Sequence, residues 1–205
     1  MQVIYRISEK GYPKEKPDYI NNENCLLNAL KTFNKDRWWV IADDVSEDTK
    51  SFINSYIKTV EYVSAGNGAK TFNLALDFAL ALPNPNNIVY FLEDDYLHKP
   101  EADKVIESGF DLGFDYVTTY DHPDKYLNPI EGGNPFCSGR AEDTRVYLGE
   151  HCHWKLTNST TMTFATKVKT LKEDEDVLRK WTKDTHPYDF QMFMELKQRG
   201  RRLAS

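Results

Sequence analysis

The chain has 205 residues, 40% of them hydrophobic and 13% aromatic, and a formal net charge of −6. That length allows one substantial core, as one domain or as a large and a small lobe, and the apolar share excludes a disordered chain. The acidic balance argues against nucleic acid as the main partner, and three scattered cysteines (Cys25, Cys137, Cys152) supply neither a disulfide framework nor a CxxC zinc pair. A reducing, cytoplasmic setting is the matching expectation. The opening residues read as a short strand rather than a signal peptide, and no window approaches the roughly 20 apolar residues of a membrane span.

Strand and helix patterns alternate through the first half. Residues 3–7 read as a strand, 11–18 as a polar loop, and about 22–33 as a helix with Leu26, Leu30 and Phe33 on one face. A second strand over 38–42 ends in Asp43-Asp44. Residues 47–56 read as a helix, 59–63 as a third strand, and 70–82 as a helix stopped by Pro83 and Pro85. The fourth strand covers 88–92. Pro100 opens a short helix that Gly109 is expected to end, and 115–120 form a fifth strand. This order predicts an α/β fold, a mostly parallel sheet with helices on both faces.

The second half has a weaker pattern. Residues 127–149, rich in Gly, Pro and charge, read as a partly irregular loop, and 151–157 and 160–166 as two strands. Val168, Leu171, Leu178 and Trp181 mark a helix, and 188–199 a last helix closed by Gly200. Leu203 to Ser205 look like the start of another strand, so the sequence is expected to be part of a longer protein with further domains.

Three segments carry the chemistry, all at strand ends where open α/β sheets bind ligands. Ile88 to Leu92 delivers Glu93-Asp94-Asp95, three carboxylates that repel one another unless a cation sits among them. Extended backbone there would point residues 93 and 95 to one side and Asp94 to the other. The second segment is Asp43-Asp44-Val-Ser46-Glu-Asp48-Thr49. Helix capping explains Ser46 and Asp48 but not the paired acids before them. In the third, residues 66–73, a small loop containing Asn67 and Gly68 enters a helix carrying Asn73. It lacks both the P-loop and the Rossmann glycine spacing.

Together, in order and spacing, these segments resemble the nucleotide-sugar glycosyltransferases of GT-A fold, above all the large inverting family 2. Asp43 to Thr49 matches its acidic segment after the second strand, Asn67, Gly68 and Asn73 its Asn/Gly segment, and Glu93-Asp94-Asp95 its Asp-x-Asp motif. Within that group the likeness extends to chlorella-virus glycosyltransferase domains linked to capsid glycosylation. The resemblance covers about the first half. It implies one GT-A domain over 1–205, with a nucleotide-sugar-binding half (1–122) and a smaller acceptor-side β region and catalytic half (123–205).

The resemblance also implies roles. Asp43 or Asp44 would contact the uracil or ribose of a UDP-sugar, with Ser8, Asn67, Gly68, Asn73, Glu93 and Asp94 also on the nucleotide-sugar side. Asp95 would hold Mn²⁺ or Mg²⁺ against the diphosphate. Glu93 stands where the family usually has Asp, so it is expected to act on the metal, through water, or on the sugar or ribose. His186-Pro-Tyr188-Asp189-Phe190, followed by Lys197-Gln-Arg199-Gly200, loosely matches the family's base segment, with Tyr for Glu. Asp189 is therefore the base candidate, or else a stabiliser of the helix N-terminus. His151 and His153 alternate on a strand pattern, as metal ligands, phosphate contacts or ordinary strand residues. Trp154, Tyr120, Tyr126 and Phe136 are candidates to stack on a sugar or base. Residues 131–139 form either an active-site lid or a plain connection.

The acceptor would be a glycan or glycoprotein hydroxyl. Two rivals stand beside this reading. A sugar nucleotidyltransferase would normally show a Gly-rich motif with Arg and Lys after the first strand, where this chain has Gly11 to Pro17. A non-catalytic carbohydrate-binding module would be a β-sandwich and would need no acidic strand ends.

Overall fold

The computed structural model describes residues 1–10 and 15–205. The expected 11–18 loop falls partly on residues 11–14, outside the described residues. The strands are β1 (Gln2–Ser8), β2 (Trp38–Asp43), β3 (Val60–Val63), β4 (Ile88–Glu93), β5 (Tyr116–Val117), β6 (Cys137–Ser138), β7 (Ala141–Glu142), β8 (Val146–Leu148), β9 (His153–Thr157), β10 (Phe164–Lys167) and β11 (Leu203–Ala204). The α-helices are α1 (Asn22–Thr32), α2 (Glu47–Asn54), α3 (Gly68–Ala81), α4 (Ala102–Asp111), α5 (Val168–Lys180) and α6 (Asp189–Gln198).

Nine strands form one sheet in the order β3-β2-β1-β4-β10-β5-β11-β9-β8. β1 to β4 are parallel, β10 runs antiparallel between β4 and β5, and β11 is parallel to β5. This is the α/β architecture the alternation predicts, and it is not a β-sandwich. Leu203-Ala204 do form a strand, seated between β5 and β9.

Side-chain alternation splits the core into two layers. Val3, Tyr5 and Ile7 of β1 join Leu26 and Leu30 of α1 and Ile106 and Phe110 of α4 on one face. Ile4 joins Phe72, Ala75 and Leu76 of α3, Leu171 of α5 and Phe193 of α6 on the other. β4 is buried on both faces, with Tyr90 and Leu92 in the first layer and Val89 and Phe91 in the second. A central strand covered on two sides needs such an unbroken apolar run.

Among the boundaries that differ from the sequence pattern, three stand out. Gly109 does not end α4. A Cβ there would lie 2.8 Å from Val117 Cγ2, so the glycine lets the helix pass close to β5. The turn comes at Gly113, whose φ of +76° suits glycine. β5 is only two residues long, and β10 starts at Phe164, not 160.

The 127–149 region contains β6, β7 and β8 and is tied down by polar contacts. Lys125, 2% exposed, donates to Asn158 Oδ1 at 2.7 Å and Ser159 Oγ at 2.6 Å. Asn134 and Asn158 exchange side-chain amide bonds at 3.1 and 3.0 Å. Glu142 Oε1 accepts from Asn158 N at 2.8 Å, and the Cys137 thiol donates to Lys125 O at 3.4 Å. Burial lowers the Lys125 pKa, while Asp124 and Glu142 oppose that shift. Trp154 is 1% exposed and packs on Phe114, so it belongs to the core and offers no stacking face.

Candidate active site

A cleft of about 790 Å³ opens beyond the carboxyl ends of β1, β2 and β4. Its walls include Ser8, Asp43, Asn67, Gly68, Glu93, Asp94, Asp95 and Asp189, brought together from across the sequence. Topology explains the convergence, since parallel strands end at one edge and the loops after them meet there.

The floor is Arg6. In β1 it shares a face with Ile4, and its register partner on β4 is Glu93. Arg6 is 6% exposed, and its Nη2 lies 3.2 Å from Glu93 Oε1. Nη1 donates to Gly68 O at 3.1 Å, and the guanidinium lies 5.6 Å from the Phe72 ring centroid. A charge buried in a strand requires such partners. Thr163 Oγ1 also donates to Glu93, at 3.3 Å.

β4 ends at Glu93, and Asp94 and Asp95 begin a turn. The expected same-side projection of residues 93 and 95 therefore does not apply. Asp94 Oδ2 accepts the Ser8 N–H at 2.8 Å, joining β1 to the turn. Burial raises the Asp94 pKa to about 6, opposed by the Ser8 N–H and Lys16 and reinforced by Asp95 and Glu93. Asp95 Oδ2 lies 3.0 Å from Lys16 Nζ.

Asp43, 4% exposed, accepts from Ala65 N at 2.6 Å and Gly66 N at 3.1 Å, fixing the loop before α3. Gly66 has φ +72°, which favours glycine. Asn67 caps α3 by accepting from Lys70 N at 2.9 Å. This places the positive end of a 14-residue helix at the cleft wall.

Asp44 is not a cleft-lining residue. It accepts from Ser64 Oγ at 2.6 Å and lies 3.6 Å from Lys10 Nζ, and these contacts lower its pKa. Ser46 caps α2 by accepting from Thr49 N at 3.3 Å. Glu9 accepts from Ser46 N at 2.7 Å and from Thr49 Oγ1, linking the β1 end to that helix.

Asn73 points elsewhere. Its Nδ2 donates to Thr182 O at 2.8 Å and its Oδ1 accepts from Arg179 at 3.2 Å, so its amide ties α3 to the turn after α5. His151 and His153 also lie apart from the acidic tip. β9 is four positions from β4 in the sheet, roughly 19 Å at normal strand spacing. His153 is exposed opposite Leu148, and His151 lies near Glu101. This geometry removes both from a shared ligand set with Asp95.

Asp189 opens α6, and its Oδ1 accepts from Phe190 N at 2.6 Å. Burial raises its pKa, the Phe190 N–H opposes this, Glu93 raises it further, and His186 and His122 lower it. Thr185, His186 and Pro187 continue this wall of the cleft. Beside it, Phe136 stacks on Phe190 with centroids 6.4 Å apart and is 60% exposed.

Sequence reasoning passed over Arg6, Lys10, Lys16 and Glu9. Arg6 carried a signal, a lone charge inside Val-Ile-Tyr-Arg-Ile. The lysines carried none, because a charged loop is usually just solvated.

Among the described residues, no three His, Cys, Asp or Glu side chains converge as a metal-ligating group. A Mg²⁺-type ion needs only one or two carboxylates, the rest of its shell being water and phosphate oxygen. The charge balance of the cleft fits such an ion. Among the described residues, its walls carry five acids (Asp43, Glu93, Asp94, Asp95, Asp189) against three cations (Arg6, Lys10, Lys16). An anionic ligand would meet net repulsion without a further positive charge.

No protein-family model matches the chain, and no curated protein matches it either. Solved structures do. A 4-diphosphocytidyl-2C-methyl-D-erythritol synthase from Anaerococcus prevotii aligns over 98% of this chain and 85% of its own, with TM-score 0.50 and 13% identity. A CMP-2-keto-3-deoxy-manno-octonic acid synthetase complexed with CTP aligns over 98% of this chain and 87% of its own, with TM-score 0.52 and 12% identity. Mouse xyloside xylosyltransferase 1 aligns over 98% and 83%, with TM-score 0.44 and 11% identity. At these identities the likeness to the two synthases shows the fold alone, a mixed α/β sheet, largely parallel and flanked by helices. These neighbours give no link to a chlorella-virus protein. No helix among the described residues is long and apolar enough to cross a membrane.

Proposed function

We propose that this chain is a glycosyltransferase that moves a sugar from a UDP-sugar to a hydroxyl of a glycan or glycoprotein, with Mn²⁺ or Mg²⁺. One observation carries the reading: Asp189 lines the same cleft as the acidic tip 94 positions earlier in the chain. A donor-binding edge and a candidate base so face one ligand-sized space.

In this reading Asp43, Asn67 and Gly68 border the nucleoside, and the α3 N-terminus favours the phosphates. Asp95, with Asp94 or Glu93 beside it, would hold the divalent cation, which supplies charge neutralisation for the departing diphosphate. Asp189 takes the acceptor hydroxyl proton as that oxygen bonds to the anomeric carbon and the carbon–phosphate-oxygen bond breaks. Its raised pKa makes it a stronger base than an ordinary carboxylate. A single displacement inverts the anomeric centre. Exposed Phe136 beside α6 offers an apolar face on the acceptor side.

A second reading, sugar nucleotidyltransferase, is favoured by Lys10 and Lys16, which line the cleft beside Arg6 as triphosphate-gripping cations would. The two synthases of similar fold bear names of that type. Products separate the readings. With Mn²⁺ present, release of UDP from UDP-sugars supports the glycosyltransferase. Release of pyrophosphate from a nucleoside triphosphate and a sugar phosphate supports the rival. Asp189→Asn should keep UDP affinity within about threefold and lower transfer by about 10²–10⁴-fold; near-normal turnover would remove Asp189 as base.

A further inference from the structure

Among the described residues, three cations line the cleft, and of these Lys16 pairs with the acidic tip from a loop, without the further contacts that fix Arg6. Arg6 is fixed by Glu93, Gly68 O and Met162 O. Lys10 is 70% exposed and lies 3.6 Å from Asp44, which does not line the cleft. Lys16 lies 3.0 Å from Asp95 Oδ2, the pair being 33% and 17% exposed. It sits in a stretch with neither helix nor strand, and its own side chain lines the cleft.

We propose that Lys16 competes with the divalent cation for Asp95 and, once displaced, grips the diphosphate of the bound nucleotide. This rests on the reading of the cleft as a nucleoside-diphosphate site. A carboxylate cannot give its strongest contacts to an ammonium and a divalent ion at once, since the two cations repel at that range. The flexible lysine stem lets the ammonium shift without backbone movement, and its rotatable donors suit phosphate oxygens. The diphosphate that arrives with the metal is the nearest new anion. Lys16 thus opposes metal binding alone and favours metal and diphosphate together. A plain surface ion pair would have no such double effect.

The test measures Mn²⁺ affinity without nucleotide, by the paramagnetic signal of free Mn²⁺, and UDP affinity at saturating Mn²⁺, by calorimetry. Lys16→Met should tighten Mn²⁺ about fivefold and weaken UDP about tenfold, while Lys16→Arg stays near wild type in both. In an Asp95→Asn background, Lys16→Met should leave Mn²⁺ affinity unchanged. Unchanged or weaker Mn²⁺ binding in Lys16→Met overturns the competition, as does a wild type that binds no Mn²⁺. Undiminished UDP affinity in Lys16→Met overturns the grip. A wild type that binds Mn²⁺ but no UDP defeats the nucleotide reading and the grip with it, and the Mn²⁺ comparison still decides the competition.

Discussion

The elements up to Val117 are held by apolar faces on both sides of a sheet, whereas the segment from Pro123 to Glu142 is held by a buried lysine and its hydrogen-bond partners. The first arrangement tolerates many hydrophobic exchanges, because burial is non-directional. The second does not, because each buried donor and acceptor needs a specific counterpart. The contrast explains how a region with few apolar side chains keeps a defined course beside the cleft.

Three measurements would break or sharpen it. Phe91, fully buried in β4 against Phe72 and Phe164, should cost about 3–5 kcal/mol when changed to Ala. Denaturant unfolding checks this, and a loss below about 1 kcal/mol would show that the apolar layers are not the main support. Lys125→Met should cost about 2–3 kcal/mol by removing the buried charged donor that Asn158 Oδ1 and Ser159 Oγ share. It should also open residues 123–142 to protease while the first half stays resistant; uniform resistance would refute the polar anchor.

The smallest effect concerns the cleft edge, where the first half is costly rather than supportive. Burial raises the Asp94 pKa from 3.8 to about 6, so the folded chain holds that proton over a range where the unfolded chain has lost it. Stability therefore falls as pH rises from about 4 to about 6. Asp94→Asn can still accept the Ser8 N–H and lacks this loss. It should be about 1–2 kcal/mol more stable than wild type at pH 7 and equal to it below pH 4. An advantage that stayed constant with pH would point to packing instead.

The same contrast marks what the sequence could reveal. β1 to β4 and their helices were legible because two-sided burial writes continuous apolar strands and 3.6-residue stripes. Gly109 misled because a glycine that ends a helix and one that lets a helix approach a strand look alike in a single sequence. The 127–149 segment carried no periodicity, because Lys125, Asn134, Glu142 and Asn158 order it through pairing that no local pattern encodes. In the cleft, the expected Ser8, Asp43, Asn67, Gly68, Glu93, Asp94, Asp95 and Asp189 stand together, since strand ends and helix starts locate them. Asn73 and the two histidines stand elsewhere, because a helix face or a place in the sheet order is settled only by the tertiary fold.

The contacts of α3 have a mechanical consequence. Its first turn, at Asn67 and Gly68, borders the cleft, and Gly68 lies close to Pro187, which lines the cleft as well. Less than two turns later, Asn73 grips Thr182, seven residues before Asp189. In the proposed function, the helix would act as a caliper whose jaws are the donor seat and the base. Inserting one residue between Gly68 and Asn73 would rotate the second jaw by about 100° and detune the reach of Asp189 without touching a group at the reaction centre.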